Sequence, residues 1–162
     1  MFLCLRSLKK WEWGLEQCTS GEEEAARKFE EGKFYFILRE FFFTSSSNYD
    51  AALNSAIQSF TKAYDASLLF MSKNEGRVAA VKTLLNRAAA LKELKKYRAA
   101  IDDCTKVLDM DPLFVHAYIR RARCYVELKE WAEAVHSFNI ACQLCPGDKA
   151  LARECEVASK KI

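Results

Sequence analysis

Few residues in this chain have the types and spacing that enzyme chemistry needs. The chain has two histidines, His116 and His136, and neither falls into a pattern with a nucleophile and an acid. The segment Cys142–Cys145 has C-x-x-C spacing, but it closes a predicted helix, where the helix dipole disfavours a thiolate. No further ligands follow at a recognised zinc spacing. We therefore expect no enzyme activity, metal or cofactor, with one of these cysteines buried and the other near the helix end.

Two sets of basic and polar residues share helix faces instead. Residues three and four positions apart lie on one face of a helix. Two such faces are formed by Lys82, Asn86 and Ala89, and by His116, Arg120 and Arg123. Arginine donates charge-assisted hydrogen bonds to carboxylates, and an asparagine amide can orient one. The residues predict a binding site for a carboxylate ligand, although an ordinary solvated helix face fits the spacing equally well.

The elements that carry these faces recur along the chain. Pro112 and Pro146 are 34 residues apart (146 − 112), and the residues before them match at the same offset. The matching pairs are Ala88 with Ala122, Tyr97 with Trp131, Ala100 with Ala134, Cys104 with Phe138, and Val107 with Ala141. Small residues let helices approach closely, and proline ends a helix. The pattern predicts two helix-turn-helix units.

Positions within each unit can be assigned from the same pattern. Tyr97 and Trp131 are expected to begin the second helices, from which Cys104 and Phe138 face inward. Asp102, Asp103 and Lys106 fall between the apolar positions. This spacing predicts that all three lie on a solvated face.

A less regular unit lies upstream. We predict a first helix that starts near Glu24 and continues past Gly32 to about Phe43. A polar turn over Thr44–Asn48 would follow, and then a second helix from Tyr49.

The rest of the chain completes the predicted organisation. A break is expected at Ser72–Gly76, and a final amphipathic helix with Leu151, Cys155 and Ala158 facing inward would cap the stack. The chain thus divides into an N-terminal extension, 1–20, and one helical domain, 21–162. The units cover about 22–64 with an insertion at 35–49, then 81–112 and 115–146, followed by the cap helix at 148–160.

Composition agrees with an all-helical domain. Five glycines and two prolines are too few for the many tight turns of an all-β protein. The net charge of +3, with both signs interspersed, does not indicate nucleic-acid binding. No apolar run is long enough to predict a membrane span. The seven cysteines include three within helical patterns, which is typical of buried thiols in a reducing compartment. We therefore expect a cytoplasmic protein.

The repeat resembles the tetratricopeptide repeat (TPR), which has this period. The resemblance implies an all-α helix-turn-helix solenoid of about three repeats, the first degenerate, with a C-terminal capping helix. In such stacks the first helix of each repeat lines a concave surface. The segments Leu85–Ala89 and His116–Ala122 resemble co-chaperone TPR domains in particular. The run through Cys124 and Tyr125 is especially similar to the TPR-and-J-domain type, although no J domain is recognisable in the chain.

The co-chaperone resemblance implies a carboxylate clamp for the Glu-Glu-Val-Asp tails of Hsp70 and Hsp90 chaperones. Asn86 matches the asparagine of the second repeat, and Arg120 matches the arginine of the third. His116 replaces a lysine of the third repeat. Glu22 and Ala26 stand where the first repeat has a lysine and an asparagine, so the clamp is incomplete there.

Other functions remain compatible with the sequence. Lys82 or Arg123 would compensate for the incomplete clamp if the groove binds a chaperone tail. A TPR assembly scaffold with a non-functional clamp is the main alternative, with the aromatic segment Phe34–Phe43 as its interface. Packing of the same rings on neighbouring helices is the simpler role for that segment. The chain could also be part of a longer protein, and its oligomeric state is not predicted.

Overall fold

A computed structural model describes residues 21–38, 46–69, 71–72 and 74–162, and these residues form helices, turns and no strand. The seven helices are α1 (Gly21–Leu38), α2 (Ser46–Leu68), α3 (Asn74–Glu93), α4 (Tyr97–Met110), α5 (Val115–Glu127), α6 (Trp131–Leu144) and α7 (Lys149–Ser159). The predicted all-α architecture is confirmed. None of the described helices is long and apolar enough to cross a membrane.

The helices form an antiparallel stack in two layers. Each helix packs against the next one, and α1 also contacts α3, which in turn contacts α5. Two hydrogen bonds join opposite helix ends: Arg77 at the start of α3 donates to the Met110 carbonyl (2.7 Å), and Tyr49 in α2 donates to Glu93 (3.0 Å). Helices α1, α3 and α5, each of which contacts the next in this series, form one layer.

The turn inside each repeat is the same at both predicted positions. Lys95 and Lys129 adopt left-handed backbone angles, with φ of 58° and 59°. The next residues, Lys96 and Glu130, donate backbone hydrogen bonds of 2.9 Å to carbonyls five residues earlier, which closes each helix end. Because α4 begins at Tyr97 and α6 at Trp131, the predicted 34-residue correspondence is confirmed.

Small residues bring the helices of each repeat together. Ala88, Ala100, Ala122 and Ala134 are fully buried, as the repeat pattern predicts. Burial raises the pKa of the Cys104 thiol to about 12. Both Cys104 and its neighbour Cys124 are buried in the same core cluster, so they act as small hydrophobic residues.

A buried ion pair corrects one prediction. Asp103, expected on a solvated face, is only 3% exposed. Arg87 of α3 donates to both Asp103 carboxylate oxygens at 2.7 Å and to Thr61 of α2 at 3.1 Å. Burial acts to lower the Arg87 pKa, but the hydrogen bonds and charge of Asp103 outweigh it and raise the pKa. The prediction was wrong because α2 covers this side of α3 and α4.

The same positions in the next repeat carry a weaker contact. Arg121 and Ser137 lie 34 residues after Arg87 and Asp103, and Arg121 donates to the Ser137 hydroxyl at 3.2 Å. The arginine also lies 5.3 Å from the Tyr118 ring centroid. A neutral hydroxyl here replaces the carboxylate of the preceding repeat.

The upstream unit differs in detail from its prediction. Helix α1 does continue past Gly32 and is described to Leu38, whereas Phe41, Phe42 and Phe43 lie outside the described residues. Helix α2 begins at Ser46 rather than Tyr49, and α3 begins at Asn74 inside the predicted break. Serine and asparagine favour helix starts as well as turns, so the polar runs open helices here.

Gly32 is required by close packing of α1 on α2. A Cβ added at Gly32 would lie 2.5 Å from the Phe60 ring, and that ring is fully buried. We expect Gly32→Ala to lower the unfolding free energy by about 1–2 kcal/mol, because overpacking outweighs the gain in helix propensity. Urea denaturation provides the measurement. Gly147→Ala, where the added Cβ would meet nothing within 4 Å, is the matched control. Equal stability of the two variants would contradict the packing argument.

The cap helix agrees with its prediction. Leu151, Cys155 and Ala158 are buried against the last repeat. The Asp148 side chain accepts hydrogen bonds from the backbone nitrogens of Ala150 (2.9 Å) and Leu151 (3.1 Å) and so caps the helix start.

Candidate functional site

A groove runs along the layer formed by α1, α3 and α5. Its central cavity, of about 440 Å³, is lined by Lys82, Asn86, His116 and Arg120, together with Phe29 and Lys33 of α1. Four of the six residues predicted from spacing therefore meet in one depression. They come from two helices, and His116 and Arg120 follow Lys82 and Asn86 by 34 residues (120 − 86).

An adjoining cavity contains the other two predicted residues. Ala89 and Arg123 line this space of about 290 Å³, which shares His116 and Arg120 with the central cavity. Lys92 adds a further positive charge to this cavity, and Glu93 adds one negative charge. The two cavities together form the cationic part of the groove.

Two of the groove cations, Lys82 and Arg120, have no anionic partner among the described residues. Within the described ranges, no hydrogen bond or ion pair involves the side chains of Lys82, Asn86 or Arg120. Burial, and also the nearby charge of Arg123, lowers the pKa of Arg120. A partly buried guanidinium without a counterion is stabilised by an incoming anion, because charge-assisted hydrogen bonds offset its lost hydration. This arrangement suits a carboxylate ligand.

Arg123 differs from Arg120 in this respect. Its guanidinium donates to Glu154 of the cap helix at 2.6 and 2.8 Å. The hydrogen bond to Glu154 raises the pKa of Arg123 despite partial burial. Arg123 therefore lines the groove with its charge already balanced, and contact with a ligand requires that pair to rearrange.

His116 lies at the junction of the two cavities. Its side chain is exposed, and its ring lies 6.0 Å from the Phe114 ring, between centroids. Phe114 also lines the central cavity, where it was not predicted. The second histidine, His136, is exposed on α6 as expected and lines neither of these cavities.

Sequence reasoning missed the contribution of α1 to the cationic groove. Lys33 reaches the central cavity, donates to Glu30 at 2.6 Å and lies 5.2 Å from the Phe29 ring centroid. Ala26, one of the two residues that replace the first-repeat clamp residues, lines a neighbouring cavity. The side chain of the other, Glu22, lies outside the described part of the structure. Helical spacing could have found Lys33, since positions 26, 29 and 33 share a face.

The C-x-x-C segment has an ordinary structural setting. Cys142 is half-buried at the end of α6, and Cys145 is exposed just after it. The expectation that one of the two would be buried was wrong, because α7 covers Cys142 only in part. Burial and the neighbouring Cys155 raise the pKa of Cys142, which disfavours a reactive thiolate.

These observations define a helical-repeat protein with a cationic groove on one layer. Residues 81–114 and 115–148 each match the tetratricopeptide repeat. Both segments are therefore TPRs, and the described chain has the all-α TPR fold.

Known proteins with similar sequences and structures include co-chaperones. A DnaJ homolog subfamily C member 7 homolog from Dictyostelium discoideum is 34% identical over 137 residues, which is 83% of this chain and 22% of that protein. The Arabidopsis OM64 TPR domain has a TM-score of 0.69 and 25% identity, covering 88% of this chain and 100% of that domain. The TPR2B domain of yeast Sti1, solved with an Hsp70 peptide, has a TM-score of 0.64 and 26% identity. The match covers 86% of this chain and 98% of that domain. This chain thus spans about a fifth of the length of the Dictyostelium DnaJ homolog.

Proposed function

We propose that this chain is a cytoplasmic, non-catalytic adaptor of the co-chaperone kind. Its groove binds an extended acidic peptide that ends in a free carboxylate, of the type found at Hsp70 and Hsp90 C-termini (Glu-Glu-Val-Asp). The proposal rests mainly on one observation, the convergence of unpaired Lys82, Asn86 and Arg120 in the central cavity.

Each groove residue has a role in this proposal. Arg120 donates paired, charge-assisted hydrogen bonds to a ligand carboxylate. Asn86 donates from its amide and fixes the orientation of the peptide. Lys82 adds positive charge from α3, in place of the lysine and asparagine that Glu22 and Ala26 do not provide. Lys33 of α1 adds a second charge once its ion pair with Glu30 opens. His116 donates from its ring, and Arg123 and Ala89 border the upstream part of the peptide.

The similar proteins support the same kind of partner. The Sti1 domain was solved with an Hsp70 peptide, and its fold covers most of this chain. The sequence relative is a DnaJ homolog, and the matched region covers 83% of this chain and 22% of that protein. We extend the peptide-binding role to this chain because its groove carries the matching cationic chemistry.

Calorimetric titration tests the proposal. Acetyl-Glu-Glu-Val-Asp with a free C-terminus should bind at micromolar affinity, and the C-terminally amidated peptide should bind at least about tenfold more weakly, because it lacks the charge-assisted contact. Equal binding of the two peptides, or no binding of either, would refute the proposal that the groove binds a terminal carboxylate.

A second prediction concerns His116, which stands where the co-chaperone clamp has a lysine. A lysine carries a full positive charge at neutral pH, which an ordinary imidazole does not. We expect His116→Lys to tighten binding of the free-acid peptide roughly two- to fivefold, the range of an exposed ion pair. His136→Lys makes the same change on the opposite layer and should leave affinity unaltered. If both variants gained equally, His116 would have no special position in the site.

A further inference from the structure

Helix α3 is longer than the repeat to which it belongs. The TPR match begins at residue 81, whereas α3 begins at Asn74, which adds seven residues (81 − 74). This extension is anchored, since Arg77 donates a 2.7 Å hydrogen bond to the Met110 carbonyl at the end of α4. The extra turns are therefore a fixed part of the groove wall.

The extension encloses a second cavity against α1. The cavity has a volume of about 460 Å³, within the roughly 300–1,000 Å³ typical of ligand sites. Its apolar walls are Ala25, Ala26 and Phe29 of α1, and Val78 and Ala79 of the extension. Val78 remains 45% exposed, so an apolar surface is left uncovered beside the groove.

This apolar cavity opens directly into the cationic part of the groove. Phe29 and Lys82 line both spaces. A peptide whose terminal carboxylate lies near Lys82 and Asn86 would therefore place an adjacent side chain against Phe29. Glu30 and Glu75 also line the apolar cavity and disfavour an acidic side chain there.

We propose that the cavity between α1 and the α3 extension is a specificity subsite that takes a large aromatic side chain next to the terminal acidic residue. The proposal rests on the function proposed above and adds the class of peptide. Three of the walls are alanines, which leave room for a ring larger than valine. Phe29 offers an aromatic partner and is itself held 5.9 Å from the Phe60 ring, between centroids.

Three acetylated free-acid peptides test the subsite: Glu-Glu-Phe-Asp, Glu-Glu-Val-Asp and Glu-Glu-Ala-Asp. We expect the phenylalanine peptide to bind about tenfold more tightly than the alanine peptide, and more tightly than the valine peptide, by burying its ring. Ala26→Leu, which fills the cavity from an exposed position of α1, should abolish the preference but keep binding of the alanine peptide.

A matched pair of variants tests whether the cavity causes the preference for the phenylalanine peptide. Val78→Ser removes one apolar wall and should reduce the phenylalanine-to-alanine affinity ratio to roughly threefold or less. Leu113→Ser makes a similar change at a residue that is 71% exposed and does not line the cavity, and should leave the ratio unchanged.

The outcomes separate the two proposals. Equal affinity for all three peptides, with dependence on the free carboxylate retained, would overturn the subsite and leave the proposed function standing. A phenylalanine preference that Val78→Ser and Ala26→Leu do not change would also overturn it. If no peptide bound, the proposed function would fail and the subsite would fail with it.

Discussion

Asp103→Ala should destabilise the fold by about 3–5 kcal/mol, since removing one partner of a buried ion pair leaves the other charge buried and uncompensated. Arg87 donates two hydrogen bonds to this carboxylate at 2.7 Å, and the side chains of Arg87 and Asp103 are only 12% and 5% exposed. The expected fall in Tm is roughly 10 °C or more for a chain of this size. Thermal and urea unfolding followed by circular dichroism measure both quantities.

Two further variants isolate the cause. Asp102→Ala removes the same charge from the adjacent exposed position and should change stability by less than about 0.5 kcal/mol. The double variant Arg87→Met, Asp103→Leu removes both charges and should recover much of the lost stability. A double variant no more stable than Asp103→Ala would show that packing, rather than an unpaired charge, accounts for the loss.

Arg120→Ala should weaken binding of free-acid Glu-Glu-Val-Asp by more than about 1.5 kcal/mol, or about tenfold or more. The guanidinium lies in both parts of the cationic groove and has no counterion among the described residues. Burial lowers its pKa, so a ligand carboxylate restores an interaction that the free protein lacks. Because the substitution removes no internal hydrogen bond or ion pair, Tm should hardly change.

The control for Arg120→Ala is a variant that removes an arginine outside the groove. Arg98 on α4 pairs with Glu130 and is 69% exposed, so Arg98→Ala makes an equal change in net charge. Its effect on peptide binding should stay within about twofold at physiological ionic strength, because distant surface charges are screened. If Arg120→Ala bound the peptide as well as Arg98→Ala, Arg120 would have no role in the site.

Much of the fold could be predicted from the sequence because its period is strict. The coincidence of Pro112 with Pro146 and of Tyr97 with Trp131 determines where the second helices begin. Helical spacing then predicts that Asn86 and Arg120 share one layer, and the structure places both in one cavity.

The remaining features depend on contacts that a local pattern does not contain. Asp103 follows Asp102 in a polar stretch, and only the packing of α2 across α3 and α4 buries it. Lys33 enters the groove because α1 extends beyond Gly32, where the family pattern has its turn. The sequence pattern did not predict that α3 begins at Asn74, because asparagine and glycine indicate a break as readily as a helix start.

The most direct test of the central claim is a chemical-shift map of the protein with free-acid Glu-Glu-Val-Asp. Backbone amides of α3 and α5, together with the Asn86 side-chain amide and the Arg120 Nε–H, should shift on titration. Amides of α4 and α6 on the other layer should not. Shifts confined to α2, α4 or α6, or scattered over both layers without saturation, would contradict a carboxylate-binding groove on the α1–α3–α5 layer.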